Sequence, residues 1–111
     1  MPGDALPLEI APAELALLRS RPGACAILDV REPWEVAICG LPEAVRLPLD
    51  RLMPRAGSLP RDRVLVVVCH AGVRSLIAAR HLRASGFDRV TSLRGGLDAW
   101  AAEIDRDMPR Y

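Results

Sequence analysis

The run Val64-Leu65-Val66-Val67-Val68-Cys69-His70-Ala71-Gly72-Val73-Arg74-Ser75 decides the architecture. Four valines and a leucine with no polar interruption predict a strand covered on both faces, as parallel sheets are. Between Cys69 and Arg74, where a helix is predicted to begin, there is room only for a tight loop, and Gly72 suits a position with positive φ or a bare backbone. From Arg74 to Ser85 the residues Leu76, Ala79 and Leu82 recur at three-residue spacing, which predicts a helix. Gly86 stands where that helix stops, with Phe87 placed for the apolar contact that accompanies such a cap.

Working outward, Ala26-Ile27-Leu28-Asp29-Val30 predicts a second buried strand, and Val90-Thr91-Ser92-Leu93 a shorter third. Ala44 to Leu47, ended by Pro48, and Leu8 to Ile10 predict two edge pieces. Helices fall between. Pro12 suits a first turn followed by Leu15 and Leu18, and Pro33 opens a short helix carrying Trp34 and Ile38. Leu97, Trp100, Ala101 and Ile104 occupy i, i+3, i+4 and i+7 of a last one. Strands alternating with helices predict βαβ units and a parallel sheet with helices on both faces. Three predicted strands end in Asp29-Val30-Arg31-Glu32, Cys69-His70-Ala71-Gly72-Val73-Arg74 and Arg94-Gly95-Gly96. In such folds ligands bind beyond the carboxyl ends of the strands, so these residues share one candidate rim.

Composition bounds the function. The 111 residues, 50% hydrophobic and 26% charged, describe one globular domain. A formal net charge of +1 excludes a general electrostatic nucleic-acid binder. All 15 basic residues are arginine, so no lysine Schiff base operates here. No signal peptide is read at the start, and no apolar run approaches the ~20 residues of a membrane helix. The three cysteines, 25, 39 and 69, match no zinc pattern, and reduced thiols in a cytoplasmic protein are expected. No metal site is expected at that spacing.

Cys69 follows the most buried strand and precedes a helix start, where backbone N–H groups and the helix dipole supply positive potential. A sulfur held there is suited to act as a nucleophile, with His70 and Arg74 adding side-chain cations. The alternative reading, a small buried hydrophobe at a strand end, stays open on these residues alone.

The stretch VVVCHAGVRSLIAARHLRASGFDRVTSLRGGLDAW, residues 66–100, resembles the rhodanese (sulfurtransferase) domain, as does ILDVREPWEVAICGLPEAVRLPL, residues 27–49. The ending Met108-Pro109-Arg110-Tyr111 is similar to that of small stand-alone members. The resemblance implies a three-layer α/β/α rhodanese-like fold with a central, mostly parallel five-stranded sheet. It implies a single domain over residues 1–111, with a core about 8–105 and a short tail 106–111. It places the nucleophile at Cys69 and the anion-binding loop at His70, Ala71, Gly72, Val73, Arg74 and Ser75. The implied activity is that of a thiosulfate sulfurtransferase. Sulfane sulfur from a small anionic donor is held as a persulfide and passed to cyanide, a thiol or a partner protein. Alternatives are a persulfide carrier without turnover, and a phosphatase or arsenate-reductase-like enzyme. The last is disfavoured because the loop has four residues between Cys69 and Arg74, where those relatives carry five.

Asp29 matches the family's Asp-Val-Arg; in an apolar strand it must be paired, and it is expected to tie its loop to the active-site loop or its helix. Arg31 belongs to the same motif and is expected in the same structural role, with contact to the donor as its alternative. Arg94 stands equally on the rim, and Gly95 and Gly96 permit a tight turn, with a close approach of backbone to the pocket as the alternative. Trp34 and Trp100 are expected in the core. Where the family often has Gly-His-Ile-Pro-Gly-Ala, this chain has Cys39-Gly40-Leu41-Pro42-Glu43-Ala44, so that loop is expected to differ. Cys39 reads as a loop thiol, with a resolving role as the alternative, and Cys25 as packing.

Overall fold

A computed structural model describes residues 6–111. Five strands, β1 (Glu9–Ile10), β2 (Cys25–Asp29), β3 (Val45–Arg46), β4 (Val64–Val68) and β5 (Val90–Leu93), form one sheet in the order β1-β5-β4-β2-β3. Every pairing is parallel, so the mixed edge that "mostly parallel" left room for does not occur. The helices are α1 (Pro12–Arg19), α2 (Pro33–Ile38), α3 (Leu52–Arg55), α4 (Val73–Ala84) and α5 (Gly96–Glu103), with single turns at Leu49–Arg51 and Ala56–Ser58.

Strand alternation splits the core in two. Leu65 and Val67 of β4 face a cluster with Leu28, Leu52, Ala78, Ala79, Leu82 and Phe87, on the α3 and α4 side. Val66 and Val68 face the opposite cluster, with Leu15, Ile27, Leu93, Leu97 and Trp100, on the α1 and α5 side. The result is a three-layer α/β/α arrangement with β4 at its centre. Parallel register brings Asp29 beside Val68, so β2, β4 and β5 all end on one rim.

The stop of α4 follows the expected chemistry. Gly86 has φ +102, its N–H reaches Arg83 O at 3.1 Å, and Phe87 N–H reaches Leu82 O at 3.0 Å, the double bond of a glycine-terminated helix. Two apolar expectations need correction. Trp34 is 63% exposed rather than in the core, because the buried residue of α2 is its neighbour Glu35. Ile104 is 39% exposed, since α5 ends at Glu103. Trp100 is buried as expected. Strand β2 starts at Cys25 and ends at Asp29, one residue earlier than the sequence pattern predicts.

Candidate active site

Cys69 leaves β4 directly and the chain enters α4 four residues later. The side chain is 1% exposed. Its Sγ accepts the N–H of Gly72 at 3.1 Å and of Ser75 at 3.3 Å, and lies 3.3 Å from Ser75 Oγ. First-turn amides have no acceptor within their own helix, which frees them to point at the sulfur. Gly72 makes this bend possible. Its φ is +97, and a Cβ there would stand 3.0 Å from Gly95 N and 3.4 Å from Leu93 O.

The loop carbonyls are held from the other side. Leu97 N–H donates to Cys69 O at 2.8 Å and Asp98 N–H to His70 O at 2.9 Å, both from the first turn of α5. With the carbonyls turned toward α5, the loop keeps N–H groups for the sulfur. Gly96 is required for this contact: a Cβ would meet His70 O at 2.4 Å and Cys69 O at 2.5 Å. Gly96 therefore does more than permit the turn and lets α5 close on the loop, the close backbone approach of the alternative reading, whereas a Cβ at Gly95 would meet Ala99 of α5 itself. Behind the sulfur, Ser75 Oγ and Ser92 Oγ of β5 are 2.7 Å apart and both serines are buried. Ser92 is a site-lining residue that the sequence reading passed over, although a serine inside a buried strand invites the same question as Asp29.

Arg74 is not an unpaired cation. Its guanidinium grips Glu35 of α2 with two prongs, Nη1 to Oε1 at 2.5 Å and Nη2 to Oε2 at 2.8 Å. Glu35 also accepts Glu32 N–H at 3.0 Å and the Tyr111 hydroxyl at 2.8 Å. The Arg74 fork, aided by the Glu32 N–H and the Tyr111 hydroxyl and opposed by burial, holds the Glu35 carboxyl down at about 2. The phenol of Tyr111 is pushed up to about 12, chiefly by burial, so it remains a donor.

Glu35 supplies a measurable pH dependence. Its folded value of about 2 lies below the ordinary 4.5. Its stabilisation is therefore complete above pH 4.5 and is lost as pH falls toward 2. The full amount is about 3 kcal/mol. Urea unfolding between pH 7 and pH 2 should show this loss, and Glu35→Gln should flatten it; an equally steep loss in Glu35→Gln would remove Glu35 as its source.

Asp29 and Arg31 are a buried, paired unit, the structural role expected of them, but the partner of Asp29 differs from the one expected. Arg31 is 1% exposed. It binds Asp29 through Nε at 2.9 Å and Nη2 at 2.7 Å, and donates to Glu35 O at 3.3 Å, Cys39 O at 2.7 Å and Tyr111 Oη at 3.0 Å. Asp29 thus holds Arg31 instead of the active-site loop, and the Arg31 donors are committed to protein acceptors. Gly40 lies against this pair, where a Cβ would stand 3.0 Å from Arg31 Nη2, and Glu43 forms an exposed pair with Arg19. Arg94, Ala71 and Val73 are exposed on the rim. His70 is half-buried with its ring on that of Tyr111. Cys25, Cys39 and Cys69 are free thiols. Among the described residues no cluster of His, Cys, Asp and Glu could hold a metal, and no helix is long and apolar enough to cross a membrane.

Comparison with known proteins adds an independent line. The family model for "Rhodanese-like domain" matches residues 11–103. A sulfurtransferase of Allochromatium vinosum is 40% identical over 75 residues, which cover 68% of this chain and 70% of that protein. The probable adenylyltransferase/sulfurtransferase MoeZ of Mycobacterium tuberculosis is 35% identical over 104 residues, 92% of this chain and 26% of the relative. The chain thus spans about a quarter of that larger protein. Among solved structures, a rhodanese-like domain protein from Staphylococcus aureus is similar with a TM-score of 0.75 and 31% identity, covering 93% of this chain and 97% of that one.

Proposed function

The chain belongs to the rhodanese-like domain family, and from that premise we propose that it is a sulfurtransferase working through a persulfide on Cys69, with thiosulfate as a competent donor. The observation that carries this reading is the set of N–H groups from Gly72 and Ser75 converging on the Cys69 sulfur. Such preorganised donors stabilise negative charge on sulfur by the same physics as an oxyanion hole. The Cys69 thiolate attacks the outer sulfur of thiosulfate; the S–S bond of the donor breaks and sulfite leaves with the electron pair. A thiolate or cyanide then attacks the terminal sulfur, and the Cys69 thiolate departs ready for another cycle. No net oxidation occurs and no cofactor is required.

The backbone of residues 70–75 is the anion cradle in this reading. Arg74 takes the secondary role of fixing the first turn of α4 against Glu35. The short loop, with four residues between Cys69 and Arg74, supports sulfur over phosphoryl chemistry, since it suits a single sulfur better than a tetrahedral phosphate. We take a thiol or a partner protein as the acceptor class, and the free thiols support a reducing, cytoplasmic setting.

Intact-protein mass spectrometry after brief exposure to thiosulfate tests the proposal. The protein should gain one sulfur atom and lose it again on adding cyanide. A protein that gains none from thiosulfate or from glutathione persulfide is not this kind of enzyme.

A further inference from the structure

The segment after α5 returns across the rim and ends its described course on the active-site loop. Arg110 pairs with Asp98 through Nε at 2.9 Å and Nη2 at 3.1 Å. Asp98 is the same residue whose N–H holds His70 O. Tyr111 then lays its ring on the imidazole of His70, with centroids 4.2 Å apart and planes tilted by 33°. Its hydroxyl accepts from Arg31 Nη1 at 3.0 Å and donates to Glu35 Oε2 at 2.8 Å. Glu35 in turn grips Arg74.

Tyr111 therefore touches one end of the loop, His70, and reaches the other, Arg74, through a single carboxylate. The two ends enclose the backbone that aims at the Cys69 sulfur. Small displacements there matter, because a donor moved by about 1 Å from a reacting atom can slow a reaction about a hundredfold. Beneath Tyr111, Arg31 is fixed to Asp29 in the core, and the neighbouring Arg110 makes an exposed pair with Asp98 of α5. The ring is also bounded by Trp34, edge-on at 5.9 Å.

We propose that Tyr111 is a positioning residue for sulfur transfer, clamping both ends of the Cys69 loop through its ring on His70 and its hydroxyl on Glu35. The proposal rests on the persulfide reading given above. It does not make Tyr111 a catalytic residue, since its contacts are with His70, Trp34, Arg31 and Glu35. The clamp acts on the groups that face the reacting sulfur. Its loss should consequently appear in the maximal rate of loading more than in the donor concentration needed for half that rate.

Single-turnover loading of Cys69 by thiosulfate, followed by quenched mass spectrometry, separates the two quantities. Tyr111→Ala should lower the maximal rate about tenfold or more, with half-saturation changed less than about threefold. Tyr111→Phe keeps the ring on His70 but loses the hydroxyl on Glu35, so its maximal rate should fall between those of the wild type and Tyr111→Ala. Melting curves recorded in parallel set a temperature at which every variant is folded. A wild-type protein that loads while Tyr111→Ala matches its maximal rate would sink this proposal alone. So would a loss confined to half-saturation, or a Phe variant as slow as the Ala variant. A wild type that loads from neither thiosulfate nor glutathione persulfide removes the persulfide reading, and this inference with it.

Discussion

Cys69→Ser should gain no sulfur from thiosulfate, a loss on the order of 10⁴-fold or more in loading rate, while remaining folded. The reasoning starts from the geometry. A serine hydroxyl fits the space of the thiol and can still accept the N–H groups of Gly72 and Ser75 that now meet the sulfur. The fold should therefore change by no more than about 1 kcal/mol, the net worth of an ordinary hydrogen bond. What disappears is the nucleophile, because an alcohol is not ionised by two amide donors and forms no stable link to sulfane sulfur. Cys39→Ser and Cys25→Ser serve as comparisons. Cys25 sits at the start of β2, at the opposite end of the strand from the rim, and Cys39 is held beside Arg31 rather than in the loop. Both should load at close to the wild-type rate. A sulfur atom gained by Cys69→Ser would move the nucleophile elsewhere, and loss of loading in Cys39→Ser would give that thiol a part in transfer.

The elements whose reading rests on a local pattern were legible in the sequence; those that depend on a distant partner were not. An all-valine-and-leucine run at 64–68 and a glycine at 86 carry their meaning within a few residues, and β4 and the end of α4 stand where that pattern puts them. The loop between them is legible for the same reason. Trp34 was misplaced because α2 is only six residues long, too short for its apolar residues to define a face. The helix is oriented by Glu35, whose partner Arg74 lies 39 positions later. The same long separation hid the engagement of Arg74, which reads from sequence as a free cation beside the nucleophile. Tyr111 meets Arg31 across 80 positions, and no periodicity reports such a contact. Asp29 was legible as a buried carboxylate that needs a partner, yet the partner proved to be its near neighbour Arg31 rather than the loop.

That buried pair should yield a large stability effect. Both side chains are at most 1% exposed. Removing Asp29 while Arg31 remains leaves a guanidinium inside the protein with only neutral acceptors, and breaking a buried pair in this way costs about 3–5 kcal/mol. For a domain of this size that corresponds to a fall in melting temperature of roughly 15–25 °C. Asp29→Ala should show it in thermal or urea unfolding. Replacing both charges at once is the informative contrast. Asp29→Leu combined with Arg31→Met removes the desolvated charges together, and such replacements are often neutral or stabilising. The double variant should recover most of what Asp29→Ala loses, although Tyr111 and the carbonyl of Cys39 each give up a donor. It should also still place sulfur on Cys69, since the Arg31 guanidinium is spent on Asp29, Cys39, Glu35 and Tyr111. A folded double variant that needs far more thiosulfate for half-maximal loading would return Arg31 to the list of donor contacts, whereas a lowered maximal rate alone would trace to the lost anchor of Tyr111. An Asp29→Ala protein destabilised by less than about 1 kcal/mol would show that the pair contributes no more than an exposed one.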